Sequence, residues 1–96
     1  MIEWRTVQLF LGEEGISEVE LDLSDNRNAR CSCSRFNSRF GKCKHIRFIE
    51  NAIIEAGGQY SIQVPNSVDE IEAALAFDDA ESFREFVVKY AKVEVL

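Results

Sequence analysis

This chain is poor in the residues that break or staple a backbone, with one proline, three cysteines and one histidine in 96 residues, and its longest apolar run is the five residues 73–77. Each scarcity excludes something. A bilayer span needs about 20 consecutive apolar residues, so no transmembrane helix is expected. The opening MIEWRTVQLF carries Glu3 where a secretory leader would place basic residues ahead of an apolar stretch, and this predicts a cytoplasmic protein. An odd number of cysteines suits a disulfide scaffold badly, and a bridge between Cys31 and Cys33 would close a small strained ring. Reduced thiols are expected. What is plentiful is apolar side chain: 46% of residues are hydrophobic and seven are Phe, enough for an ordinary core and against global disorder. A chain this short still buries a smaller fraction of its surface than a long one, so an added staple would help it.

The formal net charge of −6 conceals a segregation along the chain. Residues 26–49 contain seven cations, Arg27, Arg30, Arg35, Arg39, Lys42, Lys44 and Arg47, and no acid. Residues 1–25 carry seven acids against Arg5, and residues 50–96 carry ten against Arg84, Lys89 and Lys92. The mean charge is therefore a poor guide to the surface that meets a partner.

The periodicity predicts an α+β chain. Residues 5–11, RTVQLFL, read as a strand with Val7, Leu9 and Leu11 on one face, and GEEG turns it. In ISEVELDLS the alternation sets Val19, Leu21 and Leu23 inward and Glu18, Glu20 and Asp22 toward water, the period of a half-buried antiparallel strand. DNRN is a second turn signal, followed by a short extended ARCSC. Beyond His45 the period becomes helical through Ile46, Ile49, Ile53 and Ile54, and Gly57 and Gly58 stop it at the position of a left-handed cap. QYSIQV, before Pro65, predicts a short strand. Ser67 with Glu70 forms a capping-box pattern ahead of a Val68, Ile71, Leu75 stripe, and a second helix after DDAE carries Phe83, Phe86, Val87 and Tyr90 on one face. The two helices are expected to form a hairpin; the tail KVEVL fits either a last helical turn or a strand. The one candidate seam lies near residues 57–65, dividing residues 1–58 from a strand and acidic helical extension, 59–96, packed on the same domain.

Every cysteine and the only histidine fall within CSCSRFNSRFGKCKH, residues 31–45. Their order is Cys-x-Cys, nine residues, Cys-x-His. Zinc takes four N or S donors in a tetrahedron, and two ligands one residue apart on extended backbone share a face. Two such pairs can close on one ion if the loop between them, with Asn37, Ser38 and Gly41, turns back. Two other readings of the window are thiols buried merely as small apolar groups, and a nucleophilic or redox cysteine activated by nearby cations. The first fits poorly with neighbours that are Ser, Arg and Asn, and the second needs a free base where the sole histidine already belongs to the pattern. Cys31, Cys33, Cys43 and His45 are therefore the expected ligands of Zn²⁺.

The same window, with strands before it and an apolar helix opening at GKCKHI, resembles a SWIM zinc finger over residues 5–57. The resemblance implies one Zn²⁺ on Cys31, Cys33, Cys43 and His45, a ββα order, and a module that binds DNA or proteins, often in DNA remodelling, transposition or recombination. The expected fold is an N-terminal antiparallel hairpin or short sheet with a ββα-type finger, then a short strand and a C-terminal helical hairpin.

Four protein ligands leave no position for an activated water, so a structural metal and no enzyme are expected. No phosphate-binding loop, Ser/His/Asp set or dinucleotide fingerprint occurs, and Asp78 and Asp79 read as helix caps rather than a catalytic pair. Two functions remain. One is an adaptor or inhibitor that contacts a protein, including a DNA-transaction protein, through the acidic helices of residues 69–85 or the basic knuckle. The other is direct DNA or RNA binding by Arg27, Arg30, Arg35, Phe36, Arg39, Phe40, Lys42, Lys44 and Arg47, with a nucleoid or nuclear location; there Phe36 and Phe40 either stack on bases or shield the metal. No small-molecule substrate and no membrane partner are expected.

Overall fold

Six consecutive residues, Arg5, Thr6, Val7, Gln8, Leu9 and Phe10, are buried, which a strand achieves only when both of its faces are covered. They form the middle of β1 (Trp4–Gly12) in a computed structural model that describes residues 3–13, 15–33 and 43–95, the side chain of Arg27 excepted. β1 pairs antiparallel with β2 (Gly15–Asp22) on one side and parallel with β4 (Glu94–Val95) on the other. β3 (Asp25–Cys31) adds to the far edge of β2, so the sheet order is β3-β2-β1-β4. α1 (Lys44–Glu55) packs on β3, α3 (Ala80–Tyr90) packs on β1, and α2 (Glu70–Ala76) packs on α3. The class is α+β, and the tail becomes a strand.

The helical stripes explain the core. Ile46, Ile49 and Ile53 of α1 join Val19, Leu21, Phe83 and Val87 in one buried cluster, each full burial of such a side chain stabilising by about 1.5–3 kcal/mol. Ile54 lies outside that stripe and is exposed. α1 ends in a Schellman motif: the Gly58 N–H donates to the Ile53 carbonyl at 2.8 Å and the Gly57 N–H to the Ile54 carbonyl at 3.2 Å. Gly57 (φ 83°) and Gly58 (φ 116°) both lie where a Cβ would be strained.

The strand pattern departs from simple alternation at β1. Thr6 faces Glu20 and Gln8 faces Val19, so one extra residue is bulged into β1 at Val7. Because both faces of β1 are covered, Phe10 is buried as well as Leu9, while Leu11, toward the strand end, is exposed. On β2, Leu23 is exposed and Asp22 is buried, the reverse of the alternation, because the strand ends at Asp22. That carboxylate accepts from the Ser24 N–H (2.9 Å) and Ser24 Oγ (2.8 Å), an Asx-type turn that holds its pKa below the usual carboxylate range. β3 then begins at Asp25, so residues 26–28 are strand and not turn.

Further corrections fall in the C-terminal part. Residues 59–64 form no strand; Tyr60 and Ile62 pack on the core, and the Gln63 carbonyl accepts from the Lys92 N–H. Buried Gln8 ties these segments together, its Nε2 donating to the carbonyls of Leu9 and Lys92 while its Oε1 accepts from Tyr60 Oη at 2.7 Å. Burial pushes the Tyr60 phenol up to about 12, so it stays the donor. α2 is capped by Asp69, which accepts from the Ile71 N–H at 2.8 Å, and not by Ser67. Its Ile71 and Leu75 point to solvent while Ala76 is buried. Asp79 caps α3 by accepting from the Ser82 N–H at 2.7 Å, which lowers its pKa.

Candidate metal centre

The centre is assembled from two backbone devices. The first is the end of β3. Cys31 pairs with Val19 in the ladder, and the next residue extends the pairing: the Ser32 N–H donates to the Glu18 carbonyl at 3.0 Å, and the Glu18 N–H donates to Ser32 Oγ at 2.8 Å. Ser32 is exposed and turned away, so Cys31 and Cys33 are buried on the opposite face, as a period of two requires.

The second device is the start of α1. Cys43 is the N-cap residue, with extended φ −78° and ψ 171°, and its side chain makes no cap hydrogen bond. His45 follows in the first turn, where Ile46 and Ile49 anchor the helix in the core. The first turn carries no acidic residue. Three thiolates and one neutral imidazole around Zn²⁺ have a net charge of about −1, which the positive end of a helix favours in the place an acidic residue would otherwise take.

Ligand atoms of Cys31, Cys33, Cys43 and His45 all lie within 4.8 Å of one another, and all four residues are buried. Nδ1 of His45 is 3.6 Å from Cys31 Sγ and 3.8 Å from Cys43 Sγ. A tetrahedron with Zn–S of about 2.3 Å and Zn–N of about 2.0 Å has S···N edges of about 3.5 Å and S···S edges of about 3.8 Å. The donor set and its spacing therefore fit Zn²⁺, with Nδ1 as the nitrogen ligand. All three cysteines are free thiols. Burial pushes the Cys31 thiol up to about 12, a group that stays neutral until a cation displaces its proton. Phe10 closes the apolar side: its ring is 4.8 Å from the His45 ring and 5.4 Å, edge on, from Phe48.

The family model for the SWIM zinc finger matches residues 6–54, from within β1 to nearly the end of α1. The chain belongs to the SWIM zinc finger family. Comparison with curated proteins and with solved structures gave no match. In this SWIM finger the match covers both Cys/His pairs and the strands and helix that carry them.

Of the basic knuckle, Arg30, Lys44 and Arg47 are among the residues whose side chains are described. Arg30 is exposed, but its guanidinium is bidentate on Glu20 (3.0 and 3.1 Å) and lies 4.4 Å from the Trp4 ring centroid. Lys44 and Arg47 are exposed on the first turns of α1. Arg35, Phe36, Arg39, Phe40 and Lys42 lie outside the described residues, as does the side chain of Arg27. What sequence reasoning missed is the support: Phe10, on the second buried face of β1, and the Ser32–Glu18 pairing, which depends on strand register. The Phe48 contact was legible in principle, three residues beyond His45 on one helix face.

Proposed function

We propose that this SWIM finger is a non-enzymatic interaction module, an adaptor or inhibitor that works through protein–protein contacts on DNA-associated machinery. The observation that carries the reading is the closed donor set. Cys31, Cys33, Cys43 and His45 supply four buried ligands, the full complement of a structural zinc, whereas catalytic zinc keeps a position for water or substrate. An ion committed in this way stabilises surfaces, and binding through those surfaces is the function that follows. Direct DNA or RNA binding is the second reading. It is supported by the exposure of Arg30, Lys44 and Arg47 beside the centre; the Glu20 partner of Arg30 and the net charge of −6 weigh against it.

Affinity capture on the zinc-loaded chain, from lysate with and without nuclease, separates the two. Protein partners retained after nuclease, and lost on chelation of zinc, are the expected result. Partners lost entirely with nuclease, together with a gel shift that falls steeply with salt and weakens on Arg30→Ala with Arg47→Ala, would replace this reading with the nucleic-acid one.

A further inference from the structure

α2 leaves most of its large apolar surface in water. On this seven-residue helix and its C-cap, Ile71 is 71%, Leu75 61% and Phe77 60% exposed. Single exposed apolar side chains are ordinary, but three on one short element make that element a candidate for a docking surface. Beside them runs a groove between α2 and α3 of about 280 Å³, lined by apolar Leu75, Ala76 and Phe86 and by Glu72, Glu85 and Lys89. That volume is below the roughly 300–1,000 Å³ of pockets that enclose a drug-sized ligand, and suits side chains of a docked segment better.

The charge around the groove is predominantly negative. Residues 69–90 contain seven acids, Asp69, Glu70, Glu72, Asp78, Asp79, Glu81 and Glu85, against Arg84 and Lys89. Both cations are already engaged: Arg84 is bidentate on Glu18, and Lys89 bonds Glu72 at 3.4 Å. Glu72 also accepts from Tyr90 Oη at 2.8 Å, which fixes the α2 wall against α3. An apolar groove with an anionic surround selects a partner with apolar side chains on one stripe and cations flanking it. From the exposed Leu75 face, the groove and this charge balance, we infer that the α2–α3 groove docks a cationic amphipathic helix of a partner protein. The inference rests on the protein-binding reading above and names the surface and the chemistry of the partner.

The test uses the zinc-loaded full chain and a labelled synthetic peptide of Leu and Lys at helical spacing, beside its Leu and Glu counterpart. Binding is expected for the first peptide and not the second. Leu75→Ser, which leaves the charge unchanged, and Glu85→Lys should each weaken binding at least about tenfold, while Glu55→Lys on α1 should change it less than about twofold. These side chains are exposed, and an unchanged zinc-dependent melt will show that each variant folds. Three results would overturn the proposal: equal weakening by Glu55→Lys and Glu85→Lys, unaltered binding by Leu75→Ser, or a self-associating chain that Leu75→Ser dissociates, which makes a second copy the occupant. The capture experiment keeps the two levels apart. Partners held equally by wild type and by Leu75→Ser with Glu85→Lys overturn the groove and leave the adaptor reading standing, whereas a wild-type chain that captures no protein ends the adaptor reading.

Discussion

Ser32 and Glu18 exchange two hydrogen bonds, the Ser32 N–H to the Glu18 carbonyl at 3.0 Å and the Glu18 N–H to Ser32 Oγ at 2.8 Å. The hydroxyl thus holds the residue between two metal ligands in strand register. Removing it in Ser32→Ala should cost about 0.5–1.5 kcal/mol of stability and lower zinc affinity about tenfold, the scale seen for supports of metal ligands. Ser32→Thr keeps the hydroxyl and should stay near wild type. Competition with a chromophoric chelator measures both; equal affinity of Ser32→Ala and wild type would remove this role.

Cys43 occupies two posts at once, helix N-cap and metal ligand, and they predict opposite outcomes for Cys43→Ser. As a cap alone, serine is strongly preferred and would add up to about 1 kcal/mol. As a ligand, its loss forfeits much of the roughly 10–16 kcal/mol that structural zinc contributes to small metal-dependent folds. Loss of the cooperative thermal transition is therefore expected, matched by wild type stripped of zinc with a chelator. A melt retained by Cys43→Ser would show that the core stands without the ion.

Where burial follows a single period, the sequence was legible. Val19 and Leu21 alternate, Ile46, Ile49 and Ile53 recur helically, and Phe83, Phe86 and Val87 form the α3 stripe. The four ligands were legible for a different reason: two residue types with one shared chemistry, concentrated in residues 31–45. Failures came where long-range register or competition decided. The bulge at Val7 is a property of the β1–β2 pairing, and the burial of Phe10 against His45 follows from β1 being covered on both faces, which no single period in the sequence shows. Asp69 took the cap from Ser67 because α2 starts at Glu70 and only Asp69 reaches the Ile71 N–H. The stripe of Ile71 and Leu75 was real, but α2 turns Ala76 inward and leaves the stripe in water.

Arg5 is one long-range tie between the sheet and the helical pair, alongside Arg84 on Glu18. Its buried side chain donates from Nη1 to the Phe77 carbonyl at 3.0 Å, and its guanidinium lies 5.5 Å from the Phe83 ring centroid. Nε is buried with no hydrogen-bond partner among the described residues, which offsets part of the gain. Arg5→Met should cost about 1.5–3 kcal/mol, the worth of a hydrogen bond to a charged group. Arg5→Lys, with the charge but not the planar fork, should fall between. Urea unfolding of the zinc-loaded chain gives the values, and an Arg5→Met midpoint equal to wild type would contradict the assignment.

Zinc loading should be strongly pH-dependent, with a sign set by the thiols. In the metal-free fold burial pushes the Cys31 thiol up to about 12, and an unperturbed cysteine titrates near about 8.5. Its raised pKa favours the metal-free fold below about 8.5, and that contribution is lost as pH rises through about 12. The zinc-bound fold depends on pH in the opposite sense, because each thiol must give up its proton to bind the ion. Three sulfurs bound as thiolates should release up to about three protons for each zinc taken up. Apparent affinity should therefore rise steeply with pH, and the protein should shed zinc and unfold as the solution is acidified. Calorimetric titration in buffers of different ionisation enthalpy counts the protons directly. A release of one or none would mean that the sulfurs do not bind the ion as thiolates.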